Sequence, residues 1–95
     1  MERNLRLRRA MVHAMYDYVN PQKVETLLNH DLLMAENPDP MELNREWNKL
    51  QDAGLLIPVP GYSGIYCRLA AHIRADIDAG RPLRKYPELY GPAAM

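Results

Sequence analysis

The sequence is poor in several residue types, and each shortage excludes a class of protein. Only one of its 95 residues is a cysteine, so no disulfide can form within the chain and a reducing compartment is expected. Only Ser63 is a serine, whereas organellar transit peptides are rich in serine. The apolar runs fall far short of the roughly 20 residues that a membrane-spanning helix needs. We therefore expect a cytoplasmic protein with no targeting segment and no membrane contact.

The chain also lacks an excess of charge of either sign. Twelve lysines and arginines are balanced by twelve aspartates and glutamates, which gives a formal net charge of +0. This balance excludes a uniformly basic protein that coats nucleic acid. Hydrophobic residues make up 47% of the chain, which excludes a wholly disordered protein. The length allows one domain, placed at residues 1–80, followed by a proline-containing tail at 81–95 that we expect to be extended.

Side chains that carry catalytic or metal chemistry are few and scattered. The three histidines and Cys67 show none of the spacings typical of metal ligands. Ser63 falls in a turn and lacks the strand and helix that flank a serine nucleophile. The five glycines are dispersed and form no phosphate-binding loop. We therefore expect neither an enzyme nor a protein that holds a metal or cofactor.

Hydrophobic periodicity and capping residues predict three helices in the first half of the chain. Asn20 and Asp39 are suited to cap the second and third helices, each of which begins with a proline. Leu43, Trp47 and Leu50 form the inward stripe of the third helix. The predicted bounds are 4–19 for the first helix, 21 to either 30 or 35 for the second, and 40–53 for the third.

The first helix has two apolar stripes on nearly opposite faces. One stripe faces the core and consists of Leu5, Val12, Met15, Tyr16 and Val19. The second stripe needs another covering, either the C-terminal tail or a second copy of the chain in a homodimer. That second stripe consists of Leu7, Met11, Ala14 and Tyr18.

From residue 55 the apolar period changes to two, which indicates a β-hairpin over 55–69 with its turn at 60–64. Pro58 and Pro60 restrict the first strand to an edge position. A fourth helix is predicted at 70–79, ended by Gly80. The fold class is therefore mainly α with a two-stranded β-hairpin, in the order α-α-α-β-β-α.

One stretch of this pattern resembles a known family. The segment Leu43-x-x-x-Trp47-x-x-Leu50-x-x-Ala53-Gly54-Leu55-Leu56, followed by Gly64-Ile65-Tyr66, is similar to the recognition helix and wing of bacterial winged helix-turn-helix regulators. The resemblance covers about residues 5–69. It implies a winged-helix fold and a small DNA-binding protein, a transcriptional regulator or architectural factor that places helix 40–53 in a major groove.

Particular side chains would carry such DNA binding. Arginine and asparagine read the edges of guanine and adenine, and they lie on the outward arc of the third helix. Arginines at the start of the first helix would hold phosphates, as basic arms do. An aromatic residue at the tip of the hairpin would add an outside contact. The residues expected to contact DNA are Asn44, Arg45, Asn48, Lys49, Arg3, Arg6, Arg9 and Tyr62.

The alternative is a winged-helix module for protein–protein interaction or dimerisation that does not bind DNA. Residues 1–10 hold four arginines and one glutamate, a net charge of +3, whereas residues 31–52 hold six acidic and two basic residues, a net charge of −4. An acidic approach to DNA opposes phosphate contact. The turn of the hairpin, 61–64, also holds no arginine or lysine. The sequence therefore leaves double-stranded DNA and a partner protein as alternatives.

Overall fold

The computed structural model describes residues 2–61 and 65–92 of the chain. It is mainly helical with one two-stranded antiparallel sheet, which confirms the predicted class at that level. The elements are α1 (Arg3–Tyr16), the 3₁₀ helix η1 (Val24–Asn29), α2 (Asp31–Glu36), α3 (Pro40–Asp52), β1 (Leu56–Pro58), β2 (Cys67–Leu69), α4 (Ala71–Asp78) and α5 (Pro87–Tyr90).

The predicted second helix is divided in two at His30. The backbone of His30 is extended, and its Nδ1 accepts a hydrogen bond from the N–H of Leu32 at 3.1 Å, so this side chain caps α2. Its Nε2 lies 2.6 Å from Asp17 Oδ2 at the end of α1. The predicted start of the second helix, at residue 21, is also wrong, because η1 begins only at Val24. Because α2 continues to Glu36, the turn to α3 has only three residues.

The third helix forms as the sequence predicts. Its N-cap is Asp39, whose Oδ1 accepts a hydrogen bond from the N–H of Glu42 at 2.8 Å. The inward stripe of Leu43, Trp47 and Leu50 is buried. Beyond the end of the helix the chain turns through Gly54, whose φ of +78° favours glycine. This rigid helix fixes the directions of all the side chains on its outward face.

The hairpin is hydrogen-bonded to another segment of the chain along one edge. β1 pairs with β2 in antiparallel register, with Leu56 opposite Leu69 and Pro58 opposite Cys67. On the other side of β2, the backbones of Cys67 and Gln22 exchange two hydrogen bonds of 2.9 Å. The strand that carries a proline is thus the outer one, as expected.

The second apolar stripe of α1 is covered by the chain itself. Leu7, Met11 and Ala14 have no exposed surface, Tyr18 is half-buried, and α2 and α3 pack against α1. Leu7, Met11 and Ala14 therefore offer no area to a second copy of the chain, and the expected homodimer stays a prediction. Val19 was also expected to be inward, but α1 ends before it and it is 97% exposed.

The C-terminal segment, residues 81–92, packs against α1 on the side of Arg8 and Arg9. Leu83, Tyr86 and Leu89 belong to the hydrophobic core. The expectation of an extended tail is wrong at Pro87–Tyr90, where a proline at the first helical position starts the short helix α5. These apolar side chains account for the contact between the segment and the body of the domain.

Candidate interaction face

The outward face of α3 presents the four polar side chains that the sequence singled out. Asn44, Arg45, Asn48 and Lys49 are all exposed, as their angular distance from the inward stripe predicts. The Nδ2 of Asn44 donates to a carbonyl one turn earlier in the helix at 2.9 Å. The structure thus brings these four residues together on one helix surface.

The first basic residues of α1 are paired with glutamates of α2 and α3. Arg3 donates from Nε and Nη2 to the two carboxylate oxygens of Glu42 at 2.9 and 3.0 Å, a two-bonded fork. Arg6 Nε donates to Glu36 Oε1 at 2.8 Å, and Arg3 reaches the same oxygen at 3.5 Å. The hydrogen bond between Arg3 and Glu42 raises the pKa of the guanidinium and lowers the pKa of the carboxyl group. Arg3 and Arg6 therefore already have carboxylate partners within the chain.

A buried carboxylate also joins α1 to α3. The side chain of Glu46 has no exposed surface, and it lies between Arg8 and Arg45, whose Nε atoms donate to its two oxygens at 2.6 and 2.9 Å. Burial opposes its charge, but the hydrogen bonds from the two arginines outweigh burial and lower the pKa of Glu46. Arg8 also donates to the carbonyl of Glu88 in α5 at 3.0 Å. One arginine thus ties three helices together.

The remaining predicted contact residues are not part of this arrangement. The guanidinium carbon of Arg9 lies 4.6 Å from the ring centre of Tyr90 in α5, a cation–π distance. Arg9 therefore contacts α5, whereas Arg3 and Arg6 contact α2 and α3. Tyr62 lies outside the described residues.

Acidic side chains interrupt the basic ones where α1 meets α3. A surface depression of about 480 Å³ at this junction is lined by three basic residues, three acidic residues and Asn4. Phosphate binding favours uninterrupted positive charge. The positive charge of this depression is therefore interrupted by carboxylates. The charged lining residues are Arg3, Arg45, Lys49, Glu2, Glu42 and Glu46.

Residue-type reasoning missed the roles of the three glutamates. It counted Glu36, Glu42 and Glu46 only as part of the acidic stretch 31–52 and gave none of them a partner. The signal that could have found them is the opposite charge of residues 1–10 and 31–52. Two oppositely charged segments on neighbouring helices gain energy by facing each other.

A groove opens on the opposite flank of α3. Its volume is about 420 Å³, and it lies between η1, α3 and the start of the second arm of the hairpin. The apolar lining consists of Val24 and Trp47, both nearly buried, and Ile65, which is 66% exposed. The sequence did not single out this groove, because its residues come from three separate segments. The polar lining consists of Lys23, Glu25, Asn44 and Asn48.

A second polar cluster fastens the C-terminal segment. Asp76 in α4 is 3% exposed and accepts hydrogen bonds from Tyr86 Oη at 2.5 Å and Arg81 Nε at 2.8 Å, while Lys85 Nζ lies at 3.0 Å. These bonds lower the pKa of Asp76 well below its ordinary range. Burial and the hydrogen bond to Asp76 raise the pKa of Tyr86 to about 12. All three partners of Asp76 belong to the C-terminal segment, so this cluster holds that segment against α4.

Residues 2–61 and 65–92 hold neither a cluster of metal ligands nor a helix able to cross a membrane. In that part of the chain no three histidine, cysteine, aspartate or glutamate side chains come together in a way that could hold a metal ion. Cys67 is buried, and burial raises the pKa of its thiol. None of the helices in these ranges combines the length and the apolar character needed to cross a bilayer.

Comparison of the chain with protein-family models, with curated proteins and with solved structures finds no match.

Proposed function

We propose that this chain is a winged-helix domain that binds another protein through the exposed face of α3. The observation that carries the proposal is the pairing of the α1 arginines with glutamates of the chain itself. Arg3 and Arg6 bond to Glu36 and Glu42 at 2.8 to 3.0 Å, at the place where a DNA-binding protein would offer free cations to phosphates. In each pair a carboxylate charge lies beside the guanidinium, and that charge opposes the approach of a phosphate.

The winged-helix part of the proposal rests on the order and spacing of the elements. A three-residue turn separates α2 from α3, within the three to four residues usual for a helix-turn-helix. The hairpin follows α3 directly, as a wing does. These features support the likeness that the sequence of residues 43–56 suggested.

Exposed apolar side chains near the face of α3 support a protein partner. Met41 on α3 is 81% exposed, and Ile65 beside the groove is 66% exposed. Methionine is enriched in protein interfaces, where a partner covers its apolar surface. A phosphate backbone would gain little from either side chain.

DNA binding is the second candidate, and the direction of three side chains favours it. Arg45, Asn48 and Lys49 are all exposed on one face of the helix. In DNA-binding proteins an exposed helix with arginine and asparagine reads base edges in the major groove. In this candidate α3 would enter the groove, and Arg3, Arg6 and Arg9 would hold the flanking phosphates.

The experiment that separates the two candidates is fluorescence anisotropy of a labelled mixed-sequence duplex at two salt concentrations. We expect no binding by the intact chain at protein concentrations on the order of tens of micromolar in low salt. Binding that weakens steeply as salt rises would overturn the proposal, because that dependence reports the release of counterions from phosphates.

The positive arm uses the intact chain as bait, together with two matched methionine variants. Met41→Asp places a charge on the proposed face, whereas Met34→Asp makes the same change on α2, where Met34 is 56% exposed. A partner that is retained by the wild type and by Met34→Asp, but lost from Met41→Asp, is then purified and titrated directly. Equal retention by both variants would show that α3 is not the binding face.

A further inference from the structure

The groove between η1, α3 and the hairpin has features that narrow the class of partner. The inference rests on the proposed function, because it concerns which part of a partner protein docks beside α3. We propose that the groove binds a short extended segment of that partner. The main chain of the segment bonds to the carboxamides of Asn44 and Asn48, and one uncharged apolar side chain lies over Val24, Trp47 and Ile65.

The two carboxamides of the groove are suited to bond with the main chain of a peptide. Asn44 and Asn48 are one helical turn apart and both line the groove. Asn44 uses one N–H on a carbonyl of its own helix, which leaves its Oδ1 and second N–H for a ligand. Within residues 2–61 and 65–92, nothing bonds to the carboxamide of Asn48. A carboxamide offers a donor and an acceptor side by side, and a peptide group offers the complementary pair.

The charges that line the groove favour an uncharged ligand. Lys23 and Glu25 have opposite charges and line the same groove. A charged ligand group would be attracted by one of them and repelled by the other, so neither a phosphate nor an ionic side chain gains. This neutrality favours a peptide main chain with an apolar side chain over a strand of nucleic acid.

The shape of the groove favours a short extended ligand. Its volume of about 420 Å³ is at the low end for small-ligand pockets. Its walls are not closed, since Asn44, Asn48 and Ile65 are all exposed. An enclosed metabolite needs closed walls, whereas a chain that continues past both ends of the groove does not. A few extended residues therefore fit best.

The test uses a phage-displayed library of random seven-residue peptides, selected on the immobilised intact chain. The most enriched peptide is synthesised with a fluorescent label, and its affinity for the purified chain is measured by anisotropy. We expect Asn48→Ala and Ile65→Ser each to weaken binding by about tenfold or more, since each removes a contact of the groove. The matched variant Asn29→Ala changes an exposed asparagine outside the groove and should bind as the wild type does.

Three results would overturn the inference. The first is that no peptide is enriched, and the second is that enriched peptides bind all variants equally. The third is that adenosine monophosphate displaces the peptide at low concentration, because asparagine also pairs with adenine. None of these results requires the intact chain to bind DNA. The peptide test can therefore fail while the duplex and bait experiments still support a protein partner.

Discussion

Glu46 is a fully buried carboxylate within a helix whose other polar side chains face water. Removing a carboxylate from water costs several kcal/mol unless well-aligned partners compensate. Arg8 and Arg45 provide them, with one guanidinium Nε for each oxygen. The arrangement fixes the rotation of α3 against α1, and with it the direction of the outward face.

A charge-removing substitution at this position should therefore be severe. We expect Glu46→Gln to lower the free energy of unfolding by about 3–5 kcal/mol, because Arg8 would be left buried without a counter-charge. Such a loss is a large part of the 5–15 kcal/mol that typically stabilises a small domain. Urea unfolding of the purified variant measures it. Glu42→Gln makes the same change in a more exposed pair, in which the Glu42 side chain is 16% and the Arg3 side chain 40% exposed, and it should cost much less. Equal losses in the two variants would contradict the role given to burial.

Asp76 predicts the behaviour of the domain in acid. Its folded-state pKa is lowered by the hydrogen bonds from Tyr86, Arg81 and Lys85. A lowered pKa means that the folded state binds a proton less readily than the unfolded state, so stability is present above the ordinary value of 3.8 and is lost as the pH falls below it. We expect the urea midpoint of the wild type to fall between about pH 4 and pH 2.

Asp76→Asn is the variant that checks this assignment. It should be less stable than the wild type at neutral pH and should lose less of its remaining stability on acidification, because the titrating group is gone. Parallel pH profiles for the two proteins would show that other carboxylates, such as Glu46, dominate the acid response.

At the scale of elements, periodicity and caps located α1, α3, α4 and the hairpin to within a few residues. They succeeded because each of these elements carries its own signal, such as Asp39 before Pro40. The division at His30 was missed because a histidine is an uncommon cap, and its partner Asp17 lies 13 residues away. The helix α5 was missed because prolines suggested an extended tail. Both failures involve contacts between segments that are distant in sequence.

The contribution of α5 to the core can be measured directly. Leu89 has no exposed surface, and α5 packs against α1. Leu89→Ala should lower the free energy of unfolding by about 2–5 kcal/mol through lost burial and a cavity. Leu32→Ala, at a position 42% exposed, is the matched control, expected to stay within about 0.5 kcal/mol. A negligible effect of Leu89→Ala in urea unfolding would mean that the segment is not part of the cooperative unit.

For the whole molecule, composition gave the net charge but not its arrangement. Considered alone, the basic start of the chain suggested DNA binding. The acidic stretch 31–52, considered alone, argued against it. Only the packing of α1 beside α2 and α3 brings Arg3 and Arg6 within bonding distance of Glu36 and Glu42. The outward arc of α3 was predictable because it follows from one helix. The state of the arginines was not, since it depends on three helices.

This arrangement leads to a gain-of-function test on the intact domain. Glu36→Gln with Glu42→Gln raises the formal net charge from zero to +2, since it removes two negative charges, and leaves Arg3 and Arg6 without their partners. We expect the double variant to bind a mixed duplex in low salt where the wild type does not. Each arginine that reaches a phosphate should add about 0.9 to the steepness of the salt dependence.

The control is Glu25→Gln with Asp31→Asn, which changes the net charge equally at two exposed positions away from the arginines. Anisotropy titrations at several salt concentrations compare the three proteins. If only the first double variant gains affinity, then Glu36 and Glu42 are what keep the α1 arginines from phosphates. Equal gains in both double variants would instead show that total charge governs the response. In that case the pairing of Arg3 and Arg6 would no longer argue for a protein partner.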